Sequence, residues 1–266
     1  MGIHPAILRR RGVGSRYGEL GLEPPFVAGF GKEYYRANST RSTFAATLDH
    51  AATTNATMVD SDGLLKWRPH NLLTYSEDLS NAAWTSASTA TISSGVTDPN
   101  GGANAFTLTV TGGFQTFRQN NTSTSGVTAT QEIYIKRRTG SGNVQFFDGT
   151  SYQTLTVTTE WTLVSQETTS EHFLLRLAIS GDEVDVAFAR FYRSDLGGMV
   201  DNPDRGDSYV PTTSAAVYLP RRGHHIWDGS AWVNAGYLHE SEARTNFLLS
   251  ADDLSNASYW SPLSGA

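Results

Sequence analysis

From residue 103 onward, apolar and polar side chains alternate with a period of two, in short runs separated by turn-forming residues. The run "AFTLTV" puts Phe106, Leu108 and Val110 on one face, and "TATQEIYIK" puts Ile133 and Ile135 on one face with Tyr134 on the other. "NVQFFDG", "SYQTLTV", "WTLVSQ" and "HFLLRLAIS" continue the series, and "EVDVAFARFY" closes it. In that last run strict alternation predicts Val184, Val186, Phe188 and Arg190 on one face, and Asp185, Ala187, Ala189 and Phe191 on the other. A period of two belongs to strands that are covered on one side. Turn signals at Asp148-Gly149 and Ser180-Gly181-Asp182 separate the runs, and no helical pattern here exceeds two turns. The prediction is an all-β, antiparallel sandwich.

The chain before this region reads differently. Residues 1–38 carry glycine at 2, 12, 14, 18, 21, 29 and 31 and the pair Pro24-Pro25. That density excludes a long helix and favours an extended path, with one short helical turn expected from Pro5 to Arg10. Tyr17, Phe26, Phe30, Tyr34 and Tyr35 show no period, so the segment reads as an arm ordered by what it lies on. In residues 39–70, Asp60-Ser61-Asp62-Gly63 between two short apolar stretches predicts a small hairpin.

Composition narrows the function. There is no cysteine in the 266 residues, which excludes disulfides and thiolate metal sites. A sandwich of roughly 130 residues buries about two-thirds of its unfolded surface, enough for a core without such staples. The net charge of −6 is uneven: residues 1–36 carry six cations and three anions, leaving −9 on the remainder. An acidic body argues against nucleic acid as a partner, because phosphate contacts need a broad positive surface. The basic head fits an acidic protein surface instead, and Arg9, Arg10, Arg11, Tyr17, Phe26 and Phe30 are its candidate anchoring residues. Met1 to Arg11 lacks the apolar core of a secretory signal, and no run approaches the roughly 18 apolar residues of a membrane span. Membrane insertion is not expected.

One internal repeat is legible. "NLLTYSEDLSNAAW" begins at Asn71 and "NFLLSADDLSNASYW" at Asn246, 175 residues later. Asn71/Asn246, Leu73/Leu248, Asp78/Asp253, Leu79/Leu254, Ser80/Ser255, Asn81/Asn256 and Ala82/Ala257 are identical without gaps, and one insertion aligns Trp84 with Trp260. The expected organisation is an arm (1–38), a linker with a hairpin (39–70), a sandwich (71–217), a second linker (218–245) and the start of a second module (246–266). A longer natural product with tandem modules is the expectation.

The opening motif resembles that of jelly-roll modules in fibres, spikes and other adsorption proteins of tailed bacteriophages. "DSYVPTTSAAVYLPR" (207–221) is similar to the segment that closes such modules, and "RRGHHIWDGSAWVNAGYLHESEARTN" to the linker into the next. The resemblance spans residues 55–260. Where relatives carry a Trp-Gly-Ala-Gln-Leu-Glu run, this chain reads "ARFYRSDLGG", with Phe191 and Asp195 near the aromatic and acidic positions. The resemblance implies a jelly-roll sandwich akin to carbohydrate-binding modules, a homo-oligomer (a trimer by preference), and a place in a virion, on a tail or head fibre or spike. It implies two partners: other virion proteins through residues 1–38, and host cell-surface polysaccharide. A ligand-free spacer, or the non-catalytic part of a glycan-degrading spike, is the alternative.

Catalytic signatures are absent from the sequence: no nucleophile elbow, no phosphate-binding loop, no His-Glu-x-x-His. No enzyme activity and no cofactor are expected. His224-His225 are neighbours in a strand pattern and point to opposite faces, which disfavours a shared metal. Asp98 and Asn100 of "DPNGG" offer oxygen ligands that calcium would accept, although Pro-Asn-Gly-Gly is itself turn chemistry. For a sugar, the useful groups are aromatic faces flanked by planar polar groups. Trp84, Tyr134, Tyr152, Trp161 and Tyr192 are the candidates, each with core packing as the competing role.

Overall fold

The computed structural model describes residues 26–29, 34–37, 40–42, 50, 52–86, 90–120 and 124–238. The helical turn expected at Pro5–Arg10, the anchoring candidates Arg9, Arg10, Arg11, Tyr17 and Phe30, the side chain of Phe26, and the second copy of the motif lie outside the described residues.

Strands β1 (Phe26–Gly29), β2 (Tyr34–Ala37) and β3 (Thr40–Ser42) form an antiparallel three-stranded sheet. Sequence pattern reads this stretch as irregular, because three- and four-residue strands are too short to establish an alternation. Strands β4 (Thr57–Val59) and β5 (Leu65–Trp67) make the expected hairpin. Its turn closes through Gly63 N–H donating to Asp60 C=O at 3.0 Å, with Gly63 at φ +81° where a side chain would be strained. Lys66 holds both turn carboxylates, Asp60 and Asp62, at 2.7 Å.

The opening motif starts on β6 (His70–Asn71) and leads to β7 (Thr85–Ser86), β8 (Ala90–Val96), β9 (Ala105–Val110) and β10 (Gln115–Asn120). Then follow β11 (Ala129–Thr139), β12 (Val144–Phe147), β13 (Tyr152–Thr154), β14 (Thr162–Thr168), β15 (His172–Leu177) and β16 (Glu183–Arg193). Short strands β17 (Val217–Tyr218), β18 (His224–Trp227) and β19 (Trp232–Gly236) end the described chain. The middle strands build two five-stranded antiparallel sheets. The front sheet runs β13-β12-β15-β10-β7 and the back sheet β14-β11-β16-β9-β8. All strand pairs in both are antiparallel, as the sequence predicts.

Phe117, Phe146, Phe173 and Leu175 of the front sheet meet Leu108, Ile133, Ile135 and Val186 of the back sheet in one buried cluster. Each such side chain contributes about 1.5–3 kcal/mol by leaving water. The predicted faces of β9 and β11 are those observed: Phe106, Leu108, Val110, Ile133 and Ile135 point into this cluster, while Tyr134 packs outside it.

On β16 the alternation breaks. Glu132 pairs with Arg190 but Tyr134 pairs with Ala187, so two residues, Phe188 and Ala189, lie opposite Ile133. This is a β-bulge, with Phe188 at φ +55°. The extra residue shifts the phase: Val184 and Val186 face the core before it, Ala189 and Phe191 after it. Phe188 therefore packs on the outer face, with Ala187 and Tyr209, instead of sharing a face with Val184 as expected.

The opening and closing motifs meet. Val217 of β17 pairs with Asn71 of β6. The Asn71 amide donates to the carbonyls of Ala189 (3.0 Å) and Val210 (2.9 Å), and its Oδ1 accepts from the N–H of Phe191 (3.1 Å) and Leu73 (3.2 Å). Ser76 exchanges bonds with Thr212 at 3.1 and 2.9 Å and touches the Tyr209 hydroxyl at 3.0 Å. The repeated Asn71, with Ser76 of the opening motif and the closing "SYVPTT", thus forms the clasp of the sandwich.

Candidate functional site

The outer face of the back sheet is largely roofed over. The segment through Asn202, Ser208, Tyr209 and Val210 lies on it, and Tyr209 and Val210 are fully buried. Beneath that roof, Glu132 accepts hydrogen bonds from Arg190 (3.3 Å), Ser208 (2.8 Å), Tyr192 (3.0 Å) and Ser165 (3.0 Å). Arg190 is sandwiched by Tyr134 and Tyr209, its guanidinium 5.4 and 5.2 Å from their centroids. Burial, followed by the charge of Glu132, pushes the Tyr192 hydroxyl pKa up. These contacts hold the closing segment down.

The five aromatic candidates separate accordingly. Trp84 is corrected: it is 5% exposed, stacked on Phe117 at 4.7 Å and edge-on to Phe173 at 5.5 Å, with Nε1 donating to Tyr75 C=O at 3.0 Å. Both ring faces belong to the core, so no sugar reaches them. Tyr192 is buried with its hydroxyl committed to Glu132, and its role is likewise structural. Tyr134 and Trp161 share the half-buried margin of the back face, where Lys136 Nζ lies 4.9 Å from the Trp161 centroid. Tyr152 lies on the opposite side of the molecule, on the front sheet.

Among the described residues no segment lies across the outer face of the front sheet, although Leu174 near its centre is buried by its neighbours. Register fixes what it displays. Phe117 and Gln119 of β10, Phe173 and Leu175 of β15 and Phe146 of β12 are buried, so the alternate residues face out. Thr116 pairs with Arg176, Arg118 with Leu174, Gln145 with both Arg176 and Thr154, and Phe147 with Tyr152. The Arg176 guanidinium donates through Nε (3.0 Å) and Nη2 (2.7 Å) to Gln145 Oε1. Its carbon lies 3.3 Å from the Tyr152 centroid and 5.0 Å from that of Phe114. Tyr152 in turn meets Phe147 at 5.2 Å. A cation set against two rings is worth roughly 0.5–2 kcal/mol, and it fixes the rotamers before any ligand arrives.

Two local devices hold this surface. The β12–β13 turn is tied by Asp148, which accepts from the N–H of Thr150 and Ser151, each at 2.7 Å, and from the Gln153 amide at 2.7 Å. Those bonds draw its carboxyl down to about 2. Phe114, in the turn entering β10, is 65% exposed and has φ +53°. A bulky residue there costs about 1–2 kcal/mol in backbone strain, and its ring does not bury itself in return. The chemistry assembled is planar rings, guanidinium groups and an amide on a flat sheet face, which suits a ligand with both hydroxyls and apolar C–H faces.

Of the residues on this face, the aromatic pattern of the sequence points to Tyr152 and not to Phe114, Phe147, Gln145, Arg118 or Arg176. The signal was present: Arg176 stands between Leu175 and Leu177, and Arg118 between Phe117 and Gln119, each at an outward position of an inner strand. Asp98 is a turn residue: its carboxylate accepts from the N–H of Asn100 (2.8 Å), Gly102 (3.1 Å) and Asn104 (3.2 Å). Amide protons aimed at it oppose a cation, which corrects the calcium possibility at Asp98 and Asn100. Among the described residues no three His, Asp or Glu side chains gather to hold a metal ion. Asp195 accepts from Trp67 Nε1 at 3.0 Å and Arg193 Nε at 3.0 Å, a structural role.

The fold is an all-β antiparallel sandwich of the jelly-roll kind. No family model matches the chain, and no curated protein matches it. Among solved structures it is similar to an arabinose-bound α-L-arabinofuranosidase (TM-score 0.38, 16% identity, 53% of this chain and 31% of that one). It is also similar to the C-terminal family 22 carbohydrate-binding module of Clostridium thermocellum Xyn10B (0.35, 13%, 48% and 92%). A third is the enzymatically active domain of bacteriophage CBA120 tailspike protein 4 (0.32, 12%, 46% and 21%). The chain thus spans less than a third of the first and the last.

Proposed function

We propose that this protein is a non-catalytic glycan-binding module, with the outer face of the front sheet as its binding surface. The observation that carries the reading is the constellation of Phe114, Phe147, Tyr152, Gln145 and Arg176, ordered by its own contacts and not roofed by any of the described residues. An exposed, strained Phe114 adds nothing evident to the fold and supplies a ring face for a pyranose. The finer reading is that the module belongs to a virion of a tailed phage or phage-like particle, anchored through residues 1–38 and presenting this face to host polysaccharide. That part rests on the resemblance of the opening and closing motifs.

The test is binding of the fluorescently labelled full chain to bacterial cells with and without their surface polysaccharide. Saturable binding that disappears with the polysaccharide is expected. The double variant Phe114→Ala, Tyr152→Ala should weaken it at least tenfold, since a stacked ring contributes about 1 kcal/mol beyond its buried area. Binding that ignores the polysaccharide, or the double variant, would overturn the assignment.

A further inference from the structure

The front and back sheets differ in charge. Seven Lys and Arg residues stand on the sandwich strands. On the back sheet each has a carboxylate nearby: Lys136 and Arg138 at 3.5 and 2.9 Å from Asp185, Arg137 at 3.8 Å from Asp182. Arg190 lies 3.3 Å from Glu132, and Arg193 2.7 Å from Asp195. The two on the front sheet, Arg118 and Arg176, have none among the described residues. The five front strands, "YQT", "VQFF", "HFLLRL", "QTFRQN" and "TS", contain no Asp or Glu at all. In a protein of net charge −6, this is a local reversal of sign.

The two arginines are also neighbours in the sheet. Arg118 pairs with Leu174 and Thr116 with Arg176, which makes the two arginines diagonal neighbours on adjacent inner strands, roughly 7–8 Å apart at the backbone. Arg176 commits Nε and Nη2 to Gln145, leaving Nη1, while Arg118 is exposed with its whole donor fork available. Phe114 lies beside Arg176 with its ring open. A sugar stacked on Phe114 with a carboxylate reaching between Arg118 and Arg176 would satisfy all three groups.

We infer that the front face selects acidic glycans, those whose sugars carry carboxylates, over neutral ones. The inference rests on the glycan-binding reading and deepens it. A charge-assisted hydrogen bond is worth more than a neutral one, and guanidinium forks match planar carboxylates. The experiment presents a panel of bacterial surface polysaccharides in native and carboxyl-reduced forms to the full-length protein, with dextran sulfate as a generic polyanion. Expected is binding of a native acidic polymer at least tenfold tighter than its carboxyl-reduced form, and tighter than dextran sulfate. Arg118→Gln should lower that affinity at least tenfold with an unchanged melting temperature, and Arg118→Lys should lower it less. Equal binding of native and reduced forms, or equal retention on dextran sulfate, would overturn carboxylate selection while leaving a binding face. Absence of binding to every polysaccharide would remove the glycan reading as well.

Discussion

Asn71 offers the sharpest test of how the sandwich is closed. It opens the repeated motif, is 1% exposed and makes four hydrogen bonds, two as donor to Ala189 and Val210 and two as acceptor from Leu73 and Phe191. Leucine has nearly the same shape and none of the bonds. Asn71→Leu therefore strands two carbonyls and two N–H groups in a site without solvent access. Each bond is worth about 1 kcal/mol net, and an unsatisfied buried group costs up to about 3 kcal/mol, so the loss is at least about 4 kcal/mol. Against a total stability of about 5–15 kcal/mol that is a severe change. With an m-value of about 2 kcal/mol/M, the urea midpoint should fall by about 2 M.

The assay is equilibrium urea unfolding followed by tryptophan fluorescence, with Trp84 a core reporter. Asn71→Asp is the companion variant. It keeps acceptor oxygens for Leu73 and Phe191 but loses both donations and sets a charge against two carbonyl oxygens, so at pH 7 it should be comparably destabilised. A midpoint shift below about 0.5 M for Asn71→Leu, corresponding to about 1 kcal/mol, would refute the clasp and make the repeated asparagine incidental to folding.

Two further predictions concern other parts of the chain. His70 is fully buried with Nδ1–H donating to Arg68 C=O at 2.7 Å and Nε2 accepting from Arg193 N–H at 3.0 Å and Asn55 at 3.1 Å. Burial, which disfavours the charged ring, brings its pKa down to about 4. The unfolded chain, with a His near 6.5, binds the extra proton first, so this contribution is intact above pH 6.5 and is lost progressively down to pH 4. The loss is on the order of 3 kcal/mol, and a His70→Gln variant should lack that part of the pH dependence in parallel unfolding curves. If both proteins lose stability identically between pH 7 and pH 4, the neutral buried ring is wrong. For the anchoring reading, deletion of residues 2–36 should abolish incorporation into particles while leaving the far-UV circular dichroism of the sandwich; particles that still carry the truncated protein would exclude the arm as anchor.

The strands were legible where the two faces of a sheet differ. On β9 and β11 core residues alternate with Thr, Glu and Tyr, and the pattern names the faces correctly. On β16 it does not, because both faces are buried: one by the opposite sheet, the other by the closing segment. With apolar residues on both sides of Phe188, nothing in the local pattern marks the extra residue of the bulge. The site was less legible for a related reason. Aromatic residues serve core, clasp and ligand alike, and only the third dimension assigns Trp84 to the first and Tyr192 to the second and leaves Tyr152 on a face without a described cover. Arginines at outward positions of inner strands carry a sharper signal, since a charge in mid-sheet must meet either a partner or solvent.

That last condition explains the charge difference between the sheets. Covering a sheet face removes water from every cation beneath the cover, and an uncompensated buried charge is costly enough to require a carboxylate. On the back face Arg190 lies under the closing segment, and Glu132 answers it there. Among the described residues Arg118 and Arg176 have no such answer, a state that is tolerable only while solvent reaches them. Anything that comes to lie on the front face imposes on these two arginines the same desolvation that the closing segment imposes on Arg190. A neutral cover would incur that cost without compensation, whereas an anionic one supplies the missing partner itself. The acidic-glycan preference proposed for the front sheet therefore follows from the same electrostatic constraint that pairs Arg190 with Glu132, met on one side from within the chain and on the other by the ligand.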